Sequence, residues 1–199
     1  MDSTRLRLVV DKLLLNGRLY TTSEIPTLPS ELQPQCASTV TKENITGFFS
    51  ENSPLSNHHK SDFSIDGLTF TSNEQYFMYS KASHFQDTVT AQDILNTQNP
   101  KRAKFLGKQV KNFRLGAWRL VCDEYMRKGL KEKFGQNKHL GEFLLKTGST
   151  SLAEANPHDD YWGVGLSLKD DRIWRKNEWK GRNTLGSLLE ETSNSLKTN

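Results

Sequence analysis

Eleven residues from Ser72 to Ala82, SNEQYFMYSKA, constrain this chain more than any other stretch. Their pattern is helical, and Tyr76, Phe77, Met78 and Tyr79 supply apolar and aromatic walls. A solvated surface helix would carry several charges on its polar face, and this one has only Glu74 and Lys81. The two are seven residues apart, which is two helical turns, so both lie on nearly the same face. An acid and an amine in an apolar setting are the parts needed for proton transfer or for attack on a sugar carbon. An ordinary amphipathic helix with two charges at the rim of the core explains the same residues, and the helix alone favours that plainer reading.

At 199 residues the chain suits one domain with a sizeable core. An apolar fraction of 34% is modest, but ten Phe and four Trp add bulk. The net charge is +4 and the pI about 9.0, which favours an anionic ligand or a nucleic-acid backbone and equally fits a soluble protein with a small excess of lysine. Cys36 and Cys122 cannot build a metal cage, no CxxC is present, and no metal or cofactor is expected. Cysteine usage points to a reducing compartment, cytoplasmic or nuclear. The start MDSTRLRL lacks a signal-peptide core, no apolar run is long enough for a bilayer, and no membrane partner is expected.

In LRLVVDKLLLNGRLYTT two apolar runs flank Asn16-Gly17, a dipeptide suited to a type I′ turn, which predicts a β-hairpin. Pro26, Pro29 and Pro34 mark an extended linker behind it. Residues 1–43 are thus expected to form an N-terminal hairpin and tether, and residues 44–199 the main domain. In that domain Phe48-Phe49 suggests a short strand, and Asp66-Gly67 turns the chain between Phe63–Ile65 and Leu68–Phe70. Helical spacing follows at Ala91–Leu95, through Ala103, Leu106, Val110 and Phe113, over Leu115–Lys128, and at Leu130–Phe134 and Leu140–Lys146. Leu152–Ala155 and Val164–Leu168 read as strands and Asn183–Ser193 as a closing helix. Strands are too few and scattered for a doubly wound sheet. The expectation is an α+β fold: a single helix-rich domain around a small mixed sheet, with the hairpin as an extension.

A second cluster lies in LAEANPHDDYWGVG. Glu154 ends a predicted strand, Pro157 breaks regular structure, and Asp159-Asp160 precede Trp162. Loops that follow strands often carry chemistry because a rigid frame positions them. Gly163 and Gly165 permit close backbone approach to a ligand. A solvated acidic loop beside a core tryptophan is the competing reading.

Taken in order, SENSPLSNHH, SNEQYFMYSKA, AKFLGKQVKNF, Trp118, GLKEKFGQN, LLKTGSTSLAEANPHDDYWGVGLS and WKGRNTLGSLL closely resemble the NADAR family of N-glycosidases, from about Gly47 to Glu191. The resemblance implies a ligand loop at Ser53, Pro54, Ser56 and Asn57, and a helix bearing Glu74, Tyr76, Lys81 and Ala82. It implies Trp118, then Lys133, Phe134, Gln136 and Asn137, then Glu154, Asp159, Trp162, Gly163 and Gly165, and finally Asn183, Leu185 and Gly186. The chain departs from the family at His58-His59, where an aromatic pair is common, at Lys60, where proline is common, and at Glu190, where methionine is typical. No third ligand accompanies the two histidines, and His58 is expected at the surface or against substrate.

The resemblance implies cleavage of a ribose–base N-glycosidic bond, which needs charge development on the sugar carbon, a proton for the departing base and a nucleophile. The Lys81 amine is expected to attack the sugar carbon once the ribose opens and to form a Schiff base there, with Glu74 moving the proton or holding Lys81 in place and Asp159 or Glu154 holding hydroxyls or activating water. Trp118 and Trp162 would flank base or sugar. The competing mechanism activates water with a carboxylate and leaves Lys81 to bind phosphate. Relatives divide between phosphorylated ribosylamino-pyrimidine intermediates of riboflavin synthesis and ADP-ribosylated guanine in nucleic acid. Basic charge and the wording QYFMYSKASHF with SNHH lean toward ADP-ribosylated guanine in DNA or RNA, or an ADP-ribose-like nucleotide. Cationic patches at Lys101-Arg102-Lys104, Lys108-Lys111 and Arg172–Lys180 fit a phosphate backbone as well as a solvated surface. A pocket that holds ADP-ribose without turnover, and a scaffold that pairs through the Leu8–Thr22 hairpin, are the non-enzymatic alternatives.

Overall fold

A computed structural model describes the backbone of three short strands before residue 22 and all of residues 38–198. The chain divides into two compact units, Met1–Gln35 and Cys36–Asn199. In the first, β1 (Leu8–Val9), β2 (Lys12–Leu15) and β3 (Arg18–Thr21) form an antiparallel sheet in that order. Leu15 pairs with Arg18, and β1 adds a third strand to the expected hairpin. The Asn16-Gly17 turn, the proline-containing linker and Cys36 lie outside the described residues.

The second unit is α+β. Its sheet runs β4 (Thr39–Lys42), β5 (Ile45–Phe48), β8 (Ser151–Glu154), with β4 antiparallel and β8 parallel to β5. Residues 39–42 therefore belong to this unit's sheet, ahead of the boundary at 44 expected from the prolines. β6 (Phe63–Ile65) and β7 (Leu68–Phe70) form a separate hairpin. Its Asp66 and Gly67 both have positive φ, 52° and 80°, as a two-residue type I′ loop requires.

α1 (Asn73–His84) starts at Ser72, whose hydroxyl accepts from the Gln75 amide at 3.2 Å. It is packed by α2 (Thr88–Leu95), α3 (Pro100–Gly107) and α5 (Cys122–Gln136). That central position explains why so few of its residues carry charge. Close approach to α5 is set by Gly129, where a Cβ would collide with Asn73 and Tyr76. α6 (Lys138–Lys146) and α7 (Thr184–Lys197) complete the core, with α7 against both α5 and β8.

The structure corrects three expected elements. The helix through Ala103 stops at Gly107 rather than reaching Phe113. The Leu115–Lys128 helix is two, α4 (Leu115–Arg119) and α5, separated by Leu120 and Val121. Val164–Leu168 is not a strand: Gly165 has φ +69°, and the Val164 carbonyl accepts from both Lys180 and Gly181 instead of from a neighbouring strand. Glu190, at the departure from the family pattern, accepts from the Leu152 amide at 2.9 Å and so ties α7 to β8.

Lys133 is fully buried on α5, and its amine donates to the Pro54 and Ser56 carbonyls, each at 2.8 Å. Burial pulls its pKa down to about 7. Replacing it by methionine keeps the stem and deletes both donors. Because each buried carbonyl left unpaired costs about 1–3 kcal/mol, Lys133→Met should lose about 3 kcal/mol in urea unfolding. A loss below about 0.5 kcal/mol would contradict this role for the amine.

Candidate active site

β5 and β8 run parallel, with Phe48 paired to Glu154 at their carboxyl ends. Chain leaving both ends, together with the first turn of α1, encloses a cavity of about 520 Å³. Phe49, Ser50, Glu51, Asn52, Ser56, Asn57 and His58 come from the segment after β5, and Asn156, Asp159 and Trp162 from the segment after β8. Glu74, Phe77 and Met78 come from α1, and Lys101 and Lys104 from α3. Parallel strands place their loops at one end, which is why residues about a hundred positions apart meet here.

The first loop is tied down at several points. The Ser53 hydroxyl meets Thr39's at 2.7 Å, Lys133 holds two carbonyls, and the Asn57 amide oxygen accepts from Asn73 at 2.8 Å. The Asn57 carbonyl accepts from the Glu74 amide at 2.9 Å, so loop and helix are locked together. In the second loop Asp159 Oδ1 accepts from the amides of Tyr161 and Trp162, at 3.0 and 2.8 Å. The Glu154 carbonyl accepts from Val164 at 2.9 Å. Gly163 permits this folded-back path, since a Cβ there would lie 2.9 Å from the carbonyls of both Asp159 and Glu154.

Two carboxyls are buried in the cavity. Burial raises the Glu74 pKa to about 7, with Asp159 adding to the rise and Lys104 and Lys81 opposing it. Burial raises Glu154 to about 8, assisted by Asp159 and Glu74 and opposed by Lys104. Glu74 Oε1 is buried with no hydrogen-bond partner among the described residues. Its Oε2 stands 3.6 Å from His58 Nε2. This is not an ion pair: burial and then Lys104 hold His58 down to about 4, so the ring is neutral near pH 7, and the gap exceeds a hydrogen bond. Trp162 meets Phe77 edge to face at 5.3 Å, and Phe77 rests on Trp118 at 5.2 Å, which itself stacks on Tyr125. The cavity therefore has acids on one side, an aromatic wall braced from behind, and lysines at its rim.

Of the residues expected at the site, the structure brings Glu74, Asp159, Ser56, Asn57, His58, Glu154 and Trp162 into this cavity. The others lie around it. Lys81 donates to the Gly107 carbonyl at 2.8 Å, and its amine sits 3.9 Å from the Phe113 ring centroid; burial lowers its pKa, while the Glu74 charge raises it. Ser53 and Gly163 shape the two loops. Tyr76 packs with Phe63 and Phe70 on the opposite side of α1, and Trp118 backs Phe77 without reaching the cavity. Asn137 donates to the Asp62 and Lys133 carbonyls. Asn183, at φ 56°, bridges the Leu152 carbonyl and the Glu154 amide as a side-chain extension of the sheet.

Sequence reasoning missed Asn156 and Met126 and gave Lys101 and Lys104 no place in the pocket. Position directly after a strand was the signal available for Asn156. The stretch Asn99-Pro100, a helix start ahead of Lys101 and Lys104, was the signal for the lysines.

Comparison with known proteins agrees with this architecture. A NADAR domain model matches residues 40–197. Protein irg-1 of Caenorhabditis elegans is 37% identical over 133 residues, 66% of this chain and 63% of that protein, so the match spans less than two thirds of the nematode relative. N-glycosidase R617 of Acanthamoeba polyphaga mimivirus is 35% identical over 120 residues, 60% of this chain and 71% of the viral one. N-glycosidase YbiA of Escherichia coli is 30% identical over 160 residues, 79% of this chain and 91% of its own. The NMR structure of E. coli YbiA superposes with a TM-score of 0.65 at 29% identity, covering 82% of this chain and 91% of that one.

Glu154 offers a thermodynamic test of this electrostatic picture. With its folded pKa near 8 against an ordinary 4.5, the folded protein holds a proton that the unfolded chain releases between those values. The carboxyl's contribution to stability is therefore fullest below pH 4.5 and is lost as pH rises through 8. Glu154→Gln cannot ionise, so it should match wild type at pH 4 and exceed it by about 4–5 kcal/mol at pH 9 in urea unfolding. An equal effect at both pH values would contradict the raised pKa.

Proposed function

The chain belongs to the NADAR domain family, and on that premise we propose that it is an N-glycosidase that cleaves the bond between a ribose carbon and the nitrogen of a base. The observation that carries this reading is the pair of buried acids, Glu74 and Glu154, facing the Trp162–Phe77 wall in one cavity with Lys101 and Lys104 at its rim. A general acid works best with a pKa near the working pH, and burial gives Glu74 that value. Its unpartnered Oε1 is the atom assigned to the departing nitrogen. As the C–N bond breaks, the proton passes from Glu74 to the base, and positive charge on the sugar carbon lies against Asp159. Water adds to that carbon, and its proton returns to a carboxylate. Glu154, protonated to higher pH, donates to a ribose hydroxyl. Trp162 and Phe77 provide a flat apolar wall for the base, and the rim lysines face phosphate.

A lysine imine is a second reading of the same step. Lys81 shares α1 with Glu74, its pKa is lowered by burial, and its charge reaches Glu74. To attack the sugar carbon its amine would have to leave the Gly107 carbonyl and the Phe113 ring. Direct attack by water needs no such movement and is the reading the geometry favours. For substrate, ADP-ribosylated guanine fits best: two phosphates match the rim lysines, and a purine matches the aromatic wall. A phosphorylated ribosylamino-pyrimidine would use the same acids with fewer contacts.

Incubation with an ADP-ribosylated guanine oligonucleotide beside a phosphorylated ribosylamino-pyrimidine, with products read by mass, should show faster loss of ADP-ribose. The rate should fall as pH rises through about 7, where Glu74 gives up its proton. Glu74→Gln should lower kcat by about a hundredfold or more while KM moves less than about threefold. Hydrolysis of neither compound would overturn the glycosidase reading, and preference for the pyrimidine would move the substrate to the metabolic class. A borohydride-trapped adduct on Lys81 would replace water attack by the imine route.

A further inference from the structure

Between Lys101 and Leu120 the chain carries seven lysines and arginines and no acid. Only Lys101 among them is in an ion pair among the described residues, with Glu51 at 2.9 Å. The basic segment from Arg172 to Lys180 is different. Arg172 pairs with Asp170 at 2.7 Å and Arg175 pairs with Glu178, so that surface is largely compensated.

The strip begins at the cavity, and beyond Lys101 its cations are in no ion pair among the described residues. Lys101, Lys104 and Lys108 are spaced by three and four residues, which places them along one side of α3, running outward from the rim. Two aromatic rings stand in the same strip with unusual exposure, Phe105 at 49% and Phe113 at 38%. The Arg102 guanidinium lies over one face of the Phe105 ring, 5.1 Å from its centroid, so cation and exposed ring share this part of the strip. Lys111 and Arg114 continue the charge on either side of Phe113. Alternating free cations and exposed rings is what a single nucleic-acid strand requires: phosphates displace counterions at the lysines, and unpaired bases stack on the rings.

We propose that the Lys101–Arg114 strip is a docking track for single-stranded nucleic acid that leads the strand into the cavity. The identity of the reacting nucleotide rests on the N-glycosidase reading, whereas the track itself does not. An anionic membrane would use the charges, but it gives no reason for the row of lysines to start at the rim of an acid-lined pocket.

The test is binding of a fluorescent unmodified strand of about 15 nucleotides, long enough for one such groove, across a salt series. The triple variant Lys108→Gln, Lys111→Gln, Arg114→Gln removes three charges outside the cavity. Its affinity should fall about tenfold, and the slope of log Kd against log salt should flatten by about 2. Phe105→Ala should weaken binding by about fivefold or more without changing the slope, since a ring contributes stacking and no charge. Cleavage of a small nucleotide-sized N-riboside should be unchanged in the triple variant. Arg172→Gln with Arg175→Gln should bind as wild type does. Unchanged strand affinity in the triple variant, equal weakening in the Arg172/Arg175 pair, or tighter binding to phosphatidylserine vesicles than to the strand would each overturn the track. Strand binding that behaves as described in a protein without hydrolytic activity would leave the track standing and remove the glycosidase. Hydrolysis of the small riboside without strand binding would do the reverse.

Discussion

An amine buried at the base of one loop organises this molecule. Lys133 reaches from α5 to two carbonyls of the Ser53–Asn57 segment, and among the described residues no carboxylate pairs with it. A lone buried lysine is costly unless its protons find acceptors, so this amine couples the loop to α5. With the loop fixed, the Asn57 carbonyl is in place for the Glu74 amide, and its side chain for Asn73. Those bonds set the first turn of α1, and the first turn of α1 sets Glu74. The position of one acid thus depends on a residue whose charge never reaches the cavity.

The second acid is held by a different device. Glu154 sits at the end of β8, whose outer edge is paired by the Asn183 side chain and by Glu190 rather than by another strand. Glu190 of α7 and Asn183 just ahead of it thereby finish a three-stranded sheet and fix the strand end that carries the carboxyl. Both acids are then desolvated, which raises their proton affinity and weakens the fold at alkaline pH. A site that holds protons on carboxyls near neutrality is one that a stability-optimised core would replace. The same exclusion of water that costs stability keeps Trp162, Phe77 and the acids in a medium where proton transfer is effective.

Much of this was legible beforehand because it follows from local pattern. The Asp66-Gly67 turn and the isolation of Glu74 on an aromatic helix are properties of neighbouring residues, and the strand–loop position of Glu154 is visible from Pro157 and the glycines. What pattern could not supply is which part of a helix the cavity covers. Glu74 and Lys81 share a face, yet the cavity takes only the first turns of α1, and α3 closes over the rest through Gly107, so Lys81 meets a carbonyl. Lys104 arrives at the cavity from a helix whose approach depends on that closure. Trp118 and Asn183 were expected against substrate, whereas the contacts they make, bracing Phe77 and completing β8, are set by tertiary packing that spacing does not encode. The expected strand at Val164–Leu168 fails for a similar reason: the Val164 carbonyl is taken by the amides of Lys180 and Gly181, which lie well beyond it in the chain.

Carbon-detected NMR of side-chain carboxyls across a pH series measures the central claim without any substrate. Glu74 and Glu154, assigned through their Gln variants, should titrate with apparent midpoints near 7 and 8, well separated from the exposed glutamates. Midpoints near 4.5 for both would mean that the cavity holds two carboxylates at neutral pH, and the proton donor assigned to this site would not exist.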